Sequence, residues 1–442
     1  MNGEGEPFIK QFGSHRIKLK TNTEDKFKSV SLSKKAWKRL LKNKPAVIGI
    51  IIICLSTITA AFCHFIAPDG TPNADEQILQ LETHPPGFTI TILKVEKNLK
   101  IKEQNILSIL FNGTKSDYTP VPITAWEYDG ANVIVDEYLG PDRPTAKKSY
   151  PLADIVYAIS NTDPNIQPEG NAVSFNDIDE LKVESDLEDL KKRFEKKHLE
   201  KRTFLFGSDK FGRDILSRLL VGTRVSLSVG IIAVIISLVI GIVVGSLAGY
   251  FAKDPPKISL GKLSLNIPVD SSIIWLINVF WSIPTLLLAM GLTIIFKEKN
   301  FILIYVAVGL TMWVEMARIV RGQFLGIREK EFVEASRSLG FSHFRTIFRH
   351  ILPNLWGPII VIVAANFATA ILIEAGLSFI GLGVQPPKPS WGTMLNEYYG
   401  FIGTSKSYLA IYPGLAIMIL VLAFNLIGNG LRDALDIKTS MK

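Results

Sequence analysis

Cysteine is scarce in this sequence. The 442 residues contain two, Cys54 and Cys63, and both stand in the first long apolar run. At about 100° per residue, the nine positions between them place the two side chains on opposite faces of a helix. They therefore cannot bridge each other within that helix, and both are interpreted as small apolar side chains.

Motifs for catalysis and for cofactor binding are missing. The sequence has no nucleotide-binding loop of the form GxxxxGK[ST], no HExxH and no His/Cys cluster with metal-ligand spacing. His343 and His350 could share a helix face, but no carboxylate accompanies them to complete a metal site. The sequence predicts that this chain is not an enzyme and holds neither a metal nor a cofactor, so energy for any work must come from elsewhere.

Long apolar runs, by contrast, are abundant. Hydrophobic residues make up 48% of the chain and the mean hydropathy is +0.26. Runs of about 18 or more apolar residues are typical of membrane-spanning helices. The sequence predicts six of them, at 46–66, 225–252, 271–296, 301–314, 351–373 and 407–431. The shorter run at 301–314 reaches the length of a span if it continues past Glu315 and Arg318 toward Val320.

Charge is distributed unevenly along the chain. The first 45 residues carry 12 Lys/Arg against 4 acids, which predicts that the N-terminus and, after six spans, the C-terminus are cytoplasmic. Residues 67–205 carry 16 Lys/Arg and 24 Asp/Glu, although the whole chain has a net charge of +8. The positive-inside bias explains the basic total, so nucleic-acid binding is rejected.

These features predict an all-α polytopic membrane protein with six transmembrane helices and an inserted α+β extracytoplasmic domain between helices 1 and 2. Alternating residues at 88–96 and 132–138 predict strands, and 176–202 is predicted to be a helix that leads back to the membrane as a stalk. The predicted divisions are 1–45 (basic, cytoplasmic), 46–66 (first span), 67–205 (acidic insertion) and 206–442 (core with five spans).

A charged segment, EFVEASRSLGFSHFRTIFRHILPN at 331–354, separates two of the predicted spans. Its first part favours a helix, Gly340 is placed as a helix C-cap, and Pro353 opens the next span. A helix–Gly–helix unit with exposed charges on the cytoplasmic face could serve as a docking element for a soluble partner. A plain amphipathic loop explains the same pattern equally well on physical grounds.

The pattern Glu334-Ala335-Ser336, three residues, Gly340, then Leu352-Pro353 resembles the EAA loop of binding-protein-dependent ATP-binding cassette importers. Here Ser336 replaces the second alanine, and His350 stands where the family has an isoleucine. The resemblance implies that the segment is a coupling helix that fits a groove in an ATPase subunit. The implied coupling residues are Glu331, Glu334, Ala335, Ser336, Gly340, Leu352 and Pro353.

Three further stretches, at 206–230, 376–397 and 413–436, resemble the C-type permease subunit of oligopeptide, dipeptide and nickel importers, as do KNKPAVIGI and IAPD near the first span. Five residues in or beside these stretches are candidates for an outer mouth or gate: Asp209, Arg213, Asp214, Glu374 and Trp391. Asp209, Arg213 and Asp214 can cap a turn and form ion pairs, although positioning the second span is as good an explanation. Glu374 is an intramembrane carboxylate with either a functional or a packing role. Trp391, after a proline-rich segment, is predicted to anchor at the membrane interface.

The resemblance implies a transmembrane subunit of an importer in a bacterial cytoplasmic (inner) membrane. Its implied partners are a second, dissimilar permease subunit, two ATPase subunits that bind ATP and Mg, and an extracytoplasmic substrate-binding protein. Di- or oligopeptides are the expected cargo, with nickel or another small solute as the alternative. An ion-coupled secondary transporter is the more distant alternative, because it needs acids inside the spans and few are present.

Overall fold

The computed structural model describes residues 32–100, 104–162, 164–260, 263–295 and 301–436. Most of the predicted basic N-terminal segment, residues 1–31, lies outside this description. The first described elements are α1 (Leu32–Leu40) and α2 (Lys44–Ile66). Asn43 ends the turn between them and caps α2, since its side chain accepts a hydrogen bond from the amide of Ala46 at 3.2 Å.

The chain then forms an α+β module before it returns to the helical core. Its elements are β1 (Phe88–Glu96), α3 (Ile106–Asn112), β2 (Tyr118–Asp129), β3 (Asn132–Glu137), β4 (Ala146–Pro151), α4 (Leu152–Val156), β5 (Gln167–Glu169), β6 (Ala172–Asn176), β7 (Lys182–Asp186), α5 (Leu187–Arg193) and β8 (Leu199–Phe204). Five strands form one antiparallel sheet in the order β4-β3-β2-β1-β8, and β5-β6-β7 form a second. The predicted strands at 88–96 and 132–138 are confirmed.

A single apolar core joins the two sheets of the module. Leu93 and Val133 from the larger sheet, Phe175 from the smaller one, and Leu190 and Phe194 from the helical segment are all fully buried in it. Burial of side chains of this size contributes about 1.5–3 kcal/mol each. The module therefore has its own hydrophobic core, as an inserted domain requires.

The helix and stalk predicted over 176–202 are wrong. Helical structure covers only α5 and a π-helical turn, Phe194–His198, while strands flank it on both sides. The chain re-enters the core through β8, which pairs with β1 from Phe88↔Phe204 to Leu93↔Leu199. Pairing with residues more than a hundred positions away overrides the local helical pattern.

The core begins with α6 (Ile215–Phe251), whose first turn is capped by Asp214. Its 37 residues extend about 55 Å, far more than the roughly 30 Å of a bilayer's hydrocarbon, so its first turns project from the membrane. A hairpin of β9 (Lys257–Leu260) and β10 (Leu263–Asn266) follows. Next come α7 (Val269–Trp281) and α8 (Thr285–Ile295), which are bent by 88° at the break between them.

The remaining helices are α9 (Phe301–Ile327), α10 (Glu331–Ser338), α11 (His343–Arg345), α12 (Trp356–Phe379), α13 (Trp391–Tyr398) and α14 (Tyr408–Leu435). Within the described residues, five helical segments are long and apolar enough to cross a membrane, and the count reaches six if α7 and α8 form one bent span. The prediction of six spans therefore depends on that bent pair, because Pro284 prevents one continuous helix.

The two longest neighbours, α6 and α9, pack closely through glycines. A Cβ added at Gly245 would lie 2.4 Å from the carbonyl oxygen of Ala317, and one at Gly241 would lie 2.5 Å from the Cβ of Met316. Small residues let helix backbones approach in the membrane, where the hydrophobic effect does not drive association. The glycines of α6 therefore allow its close packing against α9.

Different parts of the chain lie at the two ends of the helical core. At one end the module contacts the start of α6, where the Oγ of Ser217 accepts a hydrogen bond from the amide of Asp69 at 2.9 Å. At the other end Asn43 lies 3.4 Å from Asp433 near the end of α14, and Tyr250 near the end of α6 contacts the segment after α10. The module and the 331–354 segment are thus on opposite sides of the membrane.

Candidate functional site

The segment at 331–354 forms a helix–turn–helix unit at the end of the helical core that is opposite the α+β module. Its first half, α10, buries Val333 and Ser336 and exposes Glu331, Glu334 and Ala335. Ser336 is therefore a packing residue, and its Oγ donates to the carbonyl of Val333 at 2.7 Å. The two acids and the alanine remain available to another molecule.

Gly340 ends α10, as predicted. Its φ of +74° lies in the left-handed region that favours glycine, and a Cβ added to it would meet no atom within 4 Å. The backbone conformation, and not the lack of space, is therefore what calls for glycine. Its amide donates to the carbonyl of Arg337 at 2.9 Å, and the amide of Phe341 donates to Ser336 at 3.1 Å. These bonds close the helix C-terminus and turn the chain sharply into the second half of the unit.

The second half of the unit runs back toward the membrane. The Ser342 side chain caps α11, and a π-helical turn (Thr346–Ile351) and a 3₁₀ turn (Leu352–Leu355) lead into α12. Leu352 is buried and Pro353 is exposed. Of the seven residues assigned to coupling, two are thus packing residues and five lie at the surface.

Large apolar side chains are exposed on the same unit. Leu339 is 72% exposed and Phe344 is 71% exposed, while Phe332 and Phe348 are exposed to a lesser degree. Phe344 and Phe348 contact each other, with ring centroids 4.5 Å apart. We call Phe332, Leu339, Phe344 and Phe348 the apolar patch. Large exposed apolar side chains next to exposed acids are typical of surfaces that bind another protein.

A set of polar contacts holds the unit against the end of α6. Arg328 donates to the carbonyl of Tyr250 at 2.7 Å and pairs with Asp254 at 2.9 Å. Arg337 of α10 reaches the same carboxylate at 3.1 Å and lies over the Tyr250 ring. The Tyr250 hydroxyl contacts Nδ1 of His343 at 2.9 Å, so both halves of the unit are attached to α6.

We call these five residues the brace. Sequence reasoning missed it because its members are separated by up to 93 positions and no local pattern links them. Arg328 and Arg337 were visible only as positive charges on the predicted cytoplasmic side. The brace therefore attaches α10 and the segment after it to the end of α6, in addition to their connections along the chain.

Two of the predicted outer-mouth residues form a buried ionic cluster at the other end. Nε of Arg213 lies 2.6 Å from Oδ2 of Asp209, and its Nη2 lies 2.6 Å from Oε2 of Glu397. Arg218 reaches the same Glu397 oxygen at 3.2 Å, and the Tyr398 hydroxyl donates to Asp209 at 2.8 Å. We call these five residues the outer cluster.

The outer cluster joins three parts of the chain and is largely buried, with only Glu397 partly exposed. Asp209, Arg218 and Tyr398 are at most 1% exposed. Its two carboxylates and two guanidinium groups balance in charge. Because Glu397 of α13 pairs with Arg213 and with Arg218 of α6, the cluster holds α13 against the start of α6. Sequence reasoning missed Arg218, Glu397 and Tyr398, although an arginine in the first turn of a capped apolar helix is a signal that it needs a carboxylate partner.

Asp214 does not pair with Arg213 as predicted. Its Oδ2 instead accepts from the amide of Ser217 at 2.7 Å and from the Ser217 hydroxyl at 2.5 Å, which makes it the N-cap of α6. The predicted capping role is confirmed, and positioning α6 is what the geometry shows.

Glu374 and Trp391 lie apart from the outer cluster's ion pairs. Glu374 is fully buried in α12, where it accepts from the hydroxyl of Ser378 at 2.7 Å and lies 3.4 Å from that of Ser226. The prediction that Trp391 anchors at the interface is wrong: it is 4% exposed, and its indole N–H donates to the carbonyl of Leu219 at 3.1 Å. Helix α13 folds back into the core and takes Trp391 with it.

The described residues contain no group of three or more His, Cys, Asp or Glu arranged to hold a metal ion. What they do contain is an apolar helical bundle with a largely buried ionic cluster at one end and an exposed helix–turn–helix unit at the other.

Comparison with known proteins decides the family. Residues 258–441 match the family model described as "Binding-protein-dependent transport system inner membrane component", and residues 31–86 match "N-terminal TM domain of oligopeptide transport permease C". The dipeptide transport system permease protein DppC of Alkalihalophilus pseudofirmus is 39% identical over 235 residues, which are 53% of this chain and 71% of that protein. The chain belongs to the OppC-type permeases of binding-protein-dependent ABC transporters.

Two further relatives agree with this family. The oligopeptide transport system permease protein OppC of Escherichia coli K12 is 41% identical over 53% of this chain and 72% of its own. The glutathione transport system permease protein GsiD of Pectobacterium atrosepticum is 40% identical over 52% and 72%. As an OppC-type permease, the chain is a multi-pass inner-membrane component and not an ATPase.

Among solved structures, an inward-facing form of the MetNI methionine ABC transporter is similar to this permease, with a TM-score of 0.40 and 20% identity over 50% of this chain and 97% of that one. A likeness at this level is too low to define the fold. The family models leave residues 87–257 unmatched, and this interval contains all eight strands of the outer module.

Proposed function

We propose that this permease forms half of the translocation pathway of an ABC importer for di- or oligopeptides, paired with a second, dissimilar permease subunit. The relatives at 39–41% identity are named for dipeptide, oligopeptide and glutathione transport, so small peptides are the chemistry that their names share. Nickel or another small solute is the alternative cargo. Both chain ends are assigned to the cytoplasm, and the outer module to the periplasmic or extracellular side.

The observation that carries the proposal is the exposed helix–turn–helix unit at residues 331–354, which we call the docking unit. Glu331, Glu334 and Ala335 face outward from α10, next to the apolar patch. In the proposed complex, two cytoplasmic ATPase subunits bind ATP and Mg, and one of them receives this unit in a groove. A substrate-binding protein delivers cargo on the opposite side. Movement of the ATPases is transmitted through α10 and the brace to α6, and the bundle alternates its access.

The first experiment is purification of the complex from its native membrane in mild detergent, with identification of stoichiometric partners and assay of ATP hydrolysis. We expect a second permease and two ATPase subunits. Glu334→Lys reverses a charge at the centre of the exposed face of α10 and should release or uncouple the ATPases.

Glu329→Lys is the matched control. This substitution changes the charge by the same amount as Glu334→Lys. Glu329 is exposed, lies outside α10 and forms a surface ion pair with Lys253. Exposed pairs of this kind contribute about 0–1 kcal/mol, so this variant should keep its partners and its activity. A chain purified alone or as a homo-oligomer, or equal losses in both variants, would contradict the proposed coupling role.

A further inference from the structure

Helix α9 carries two charged residues near its middle that its own chain does not cover. Glu315 stands about 20 Å from each end of this 27-residue helix, and Arg318 follows one turn later. Both side chains are exposed, whereas Met312, Trp313 and Val314 just before them are buried. Among the described residues, no basic group lies within ion-pair distance of Glu315.

The uncovered face continues beyond these two residues. Gly322 and Gly326 follow on the same side of α9, and a Cβ added at either would meet no atom within 4 Å. Arg318 lies over the ring of Trp281 at 3.9 Å, directly before the break between α7 and α8. Residues 281–284, at this break, are also exposed.

Lipid is an unfavourable neighbour for this face. A charged side chain at the centre of a bilayer costs at least about 2.5–3.5 kcal/mol, and here there are two. Non-helical backbone at membrane depth is tolerated only where it is buried in protein or lines a water-filled cavity. The two charged side chains and the break in the helix lie side by side at Trp281. Each independently requires protein or a water-filled cavity, and not lipid, as its neighbour.

We infer that Glu315, Arg318 and Trp281 line the translocation pathway and form a transit site for a small zwitterionic peptide. The inference rests on the proposed function. Residues at i and i+3 of a helix are about 5–6 Å apart, close to the separation of the two charged ends of a dipeptide. Glu315 receives the ammonium group, Arg318 receives the carboxylate, and the indole ring packs on the apolar part between them.

The test is accessibility of Gly322→Cys to a charged, membrane-impermeant thiol reagent in the reconstituted complex, with Cys54 and Cys63 replaced by serine. Gly322 is exposed on the same face of α9, one turn after Arg318, so this variant keeps all three proposed peptide contacts. We expect modification from the cytoplasmic side without nucleotide, modification from the outer side in the vanadate-trapped state, and at least tenfold slower reaction when peptide is present. Leu55→Cys, on the exposed apolar face of α2, is the control and should stay unmodified.

Each outcome bears on one claim. A cysteine at 322 that stays unreactive in both states, while the complex still transports peptide, overturns the transit site alone, since lipid or a packed subunit then covers this face. Modification that peptide does not slow overturns the binding role. Failure of the unmutated complex to transport any peptide, even though its ATPases are present, contradicts the proposed function instead.

A second surface is supported by separate observations on the short helix α3 of the outer module. It buries no residue, and three of its apolar side chains, Ile106, Leu107 and Phe111, are more than 60% exposed. It lies beside the outer end of α2. Its position is fixed there because the amide of Thr114 donates to the carbonyl of Gly70 at 2.8 Å, four residues after α2 ends.

Helix α3 is also attached to the second span. Arg224 of α6 donates to the carbonyl of Leu110 at 3.0 Å and lies over the ring of Phe111. Helix α2 is apolar enough to span the membrane, and its exposed side chains Phe62, Phe65 and Ile66 therefore face lipid. The exposed apolar side chains of α3 extend this surface. We propose that α3 inserts into the outer leaflet and anchors the module to the membrane surface.

A nitroxide label at Leu107→Cys, in the reconstituted complex and the same cysteine-free background, tests this proposal. Its collision rates with oxygen and with a polar nickel chelate should resemble those of Phe65→Cys, at a shallower depth. Leu181→Cys, equally exposed on β7's side of the module, should instead behave as in water. A water-like label at 107, or one that neither reagent reaches because protein covers it, overturns the proposal.

Discussion

The two ends of this permease use similar residues in opposite ways. In the outer cluster, Arg213 pairs with Asp209, which is fully buried, and with Glu397, which is largely buried. In the docking unit, Glu331 and Glu334 are exposed beside large apolar side chains. Charges that a chain satisfies internally fix its own geometry, whereas those it leaves exposed beside an apolar patch are available to a partner. Substitutions should therefore affect stability at the outer end and assembly at the inner end.

The largest effect is expected from Arg213→Ala. Removing this guanidinium leaves the fully buried carboxylate of Asp209 and the partly exposed one of Glu397 with one cation fewer, and loss of one partner of a buried ion pair costs about 3–5 kcal/mol. The permease should express poorly or unfold at a clearly lower temperature in detergent. Arg345→Ala removes an equally large cation from the exposed side of the docking unit and should change the free energy of unfolding by less than about 0.5 kcal/mol. Equal melting temperatures for both variants would contradict the comparison.

The next effect concerns assembly rather than folding. Leu339→Asp and Phe344→Asp place a charge in the apolar patch, where docking would bury it. Each should lower ATPase binding by at least tenfold, since residues at the centre of an interface contribute about 2 kcal/mol or more. The melting temperature of the permease itself should not change. Leu181→Asp, an equally exposed leucine on the outer module, is the control, and co-purification of the ATPases is the measurement.

A smaller effect is expected at the helix caps, one at each end. Asp214→Ala removes the acceptor for both the amide and the hydroxyl of Ser217, and Asn43→Ala removes the acceptor for the amide of Ala46. Loss of an N-cap costs about 1 kcal/mol. The outer cap should cost more, because Asp214 is buried, and thermal unfolding of the two variants measures the difference. Asp214→Asn should retain most of the stability.

Local pattern was enough where a structure depends on nearby residues. The strands at 88–96 and 132–138 alternate clearly, Gly340 ends its helix, and Asp214 caps α6. The 176–202 region fails for the opposite reason. A local contact typical of a helix, between Asp189 and Arg193, does form at 2.8 Å. The chain on either side of α5 nevertheless joins sheets, and β8 pairs with a strand that is distant in sequence.

The candidate sites divide in the same way. The exposed face of α10 follows from its helical period, but whether Ser336 or Trp391 faces solvent depends on packing against other helices. Arg218 and Glu397 are 179 positions apart, and Arg337 and Asp254 are 83 apart, so neither contact has a local signature. Sequence alone identified the kinds of residue at each end, and only the fold shows which of them have partners.

The smallest effect is a pH dependence confined to the outer module. Burial lowers the pKa of His198, whose Nδ1 lies 2.8 Å from the carbonyl of Lys94 in β1. The unfolded chain, with an ordinary histidine pKa of about 6.5, then binds a proton more readily than the folded module. Stability from this residue is therefore complete above pH 6.5 and falls as the pH drops below it. Hydrogen exchange of β1 and β8, corrected for intrinsic rates, should quicken between pH 7 and 5.5 in the native permease and less so in His198→Gln. The same pH change in the variant and the native chain would show that His198 does not couple the module to external pH, and the difference between the two ends would then rest on ion pairs alone.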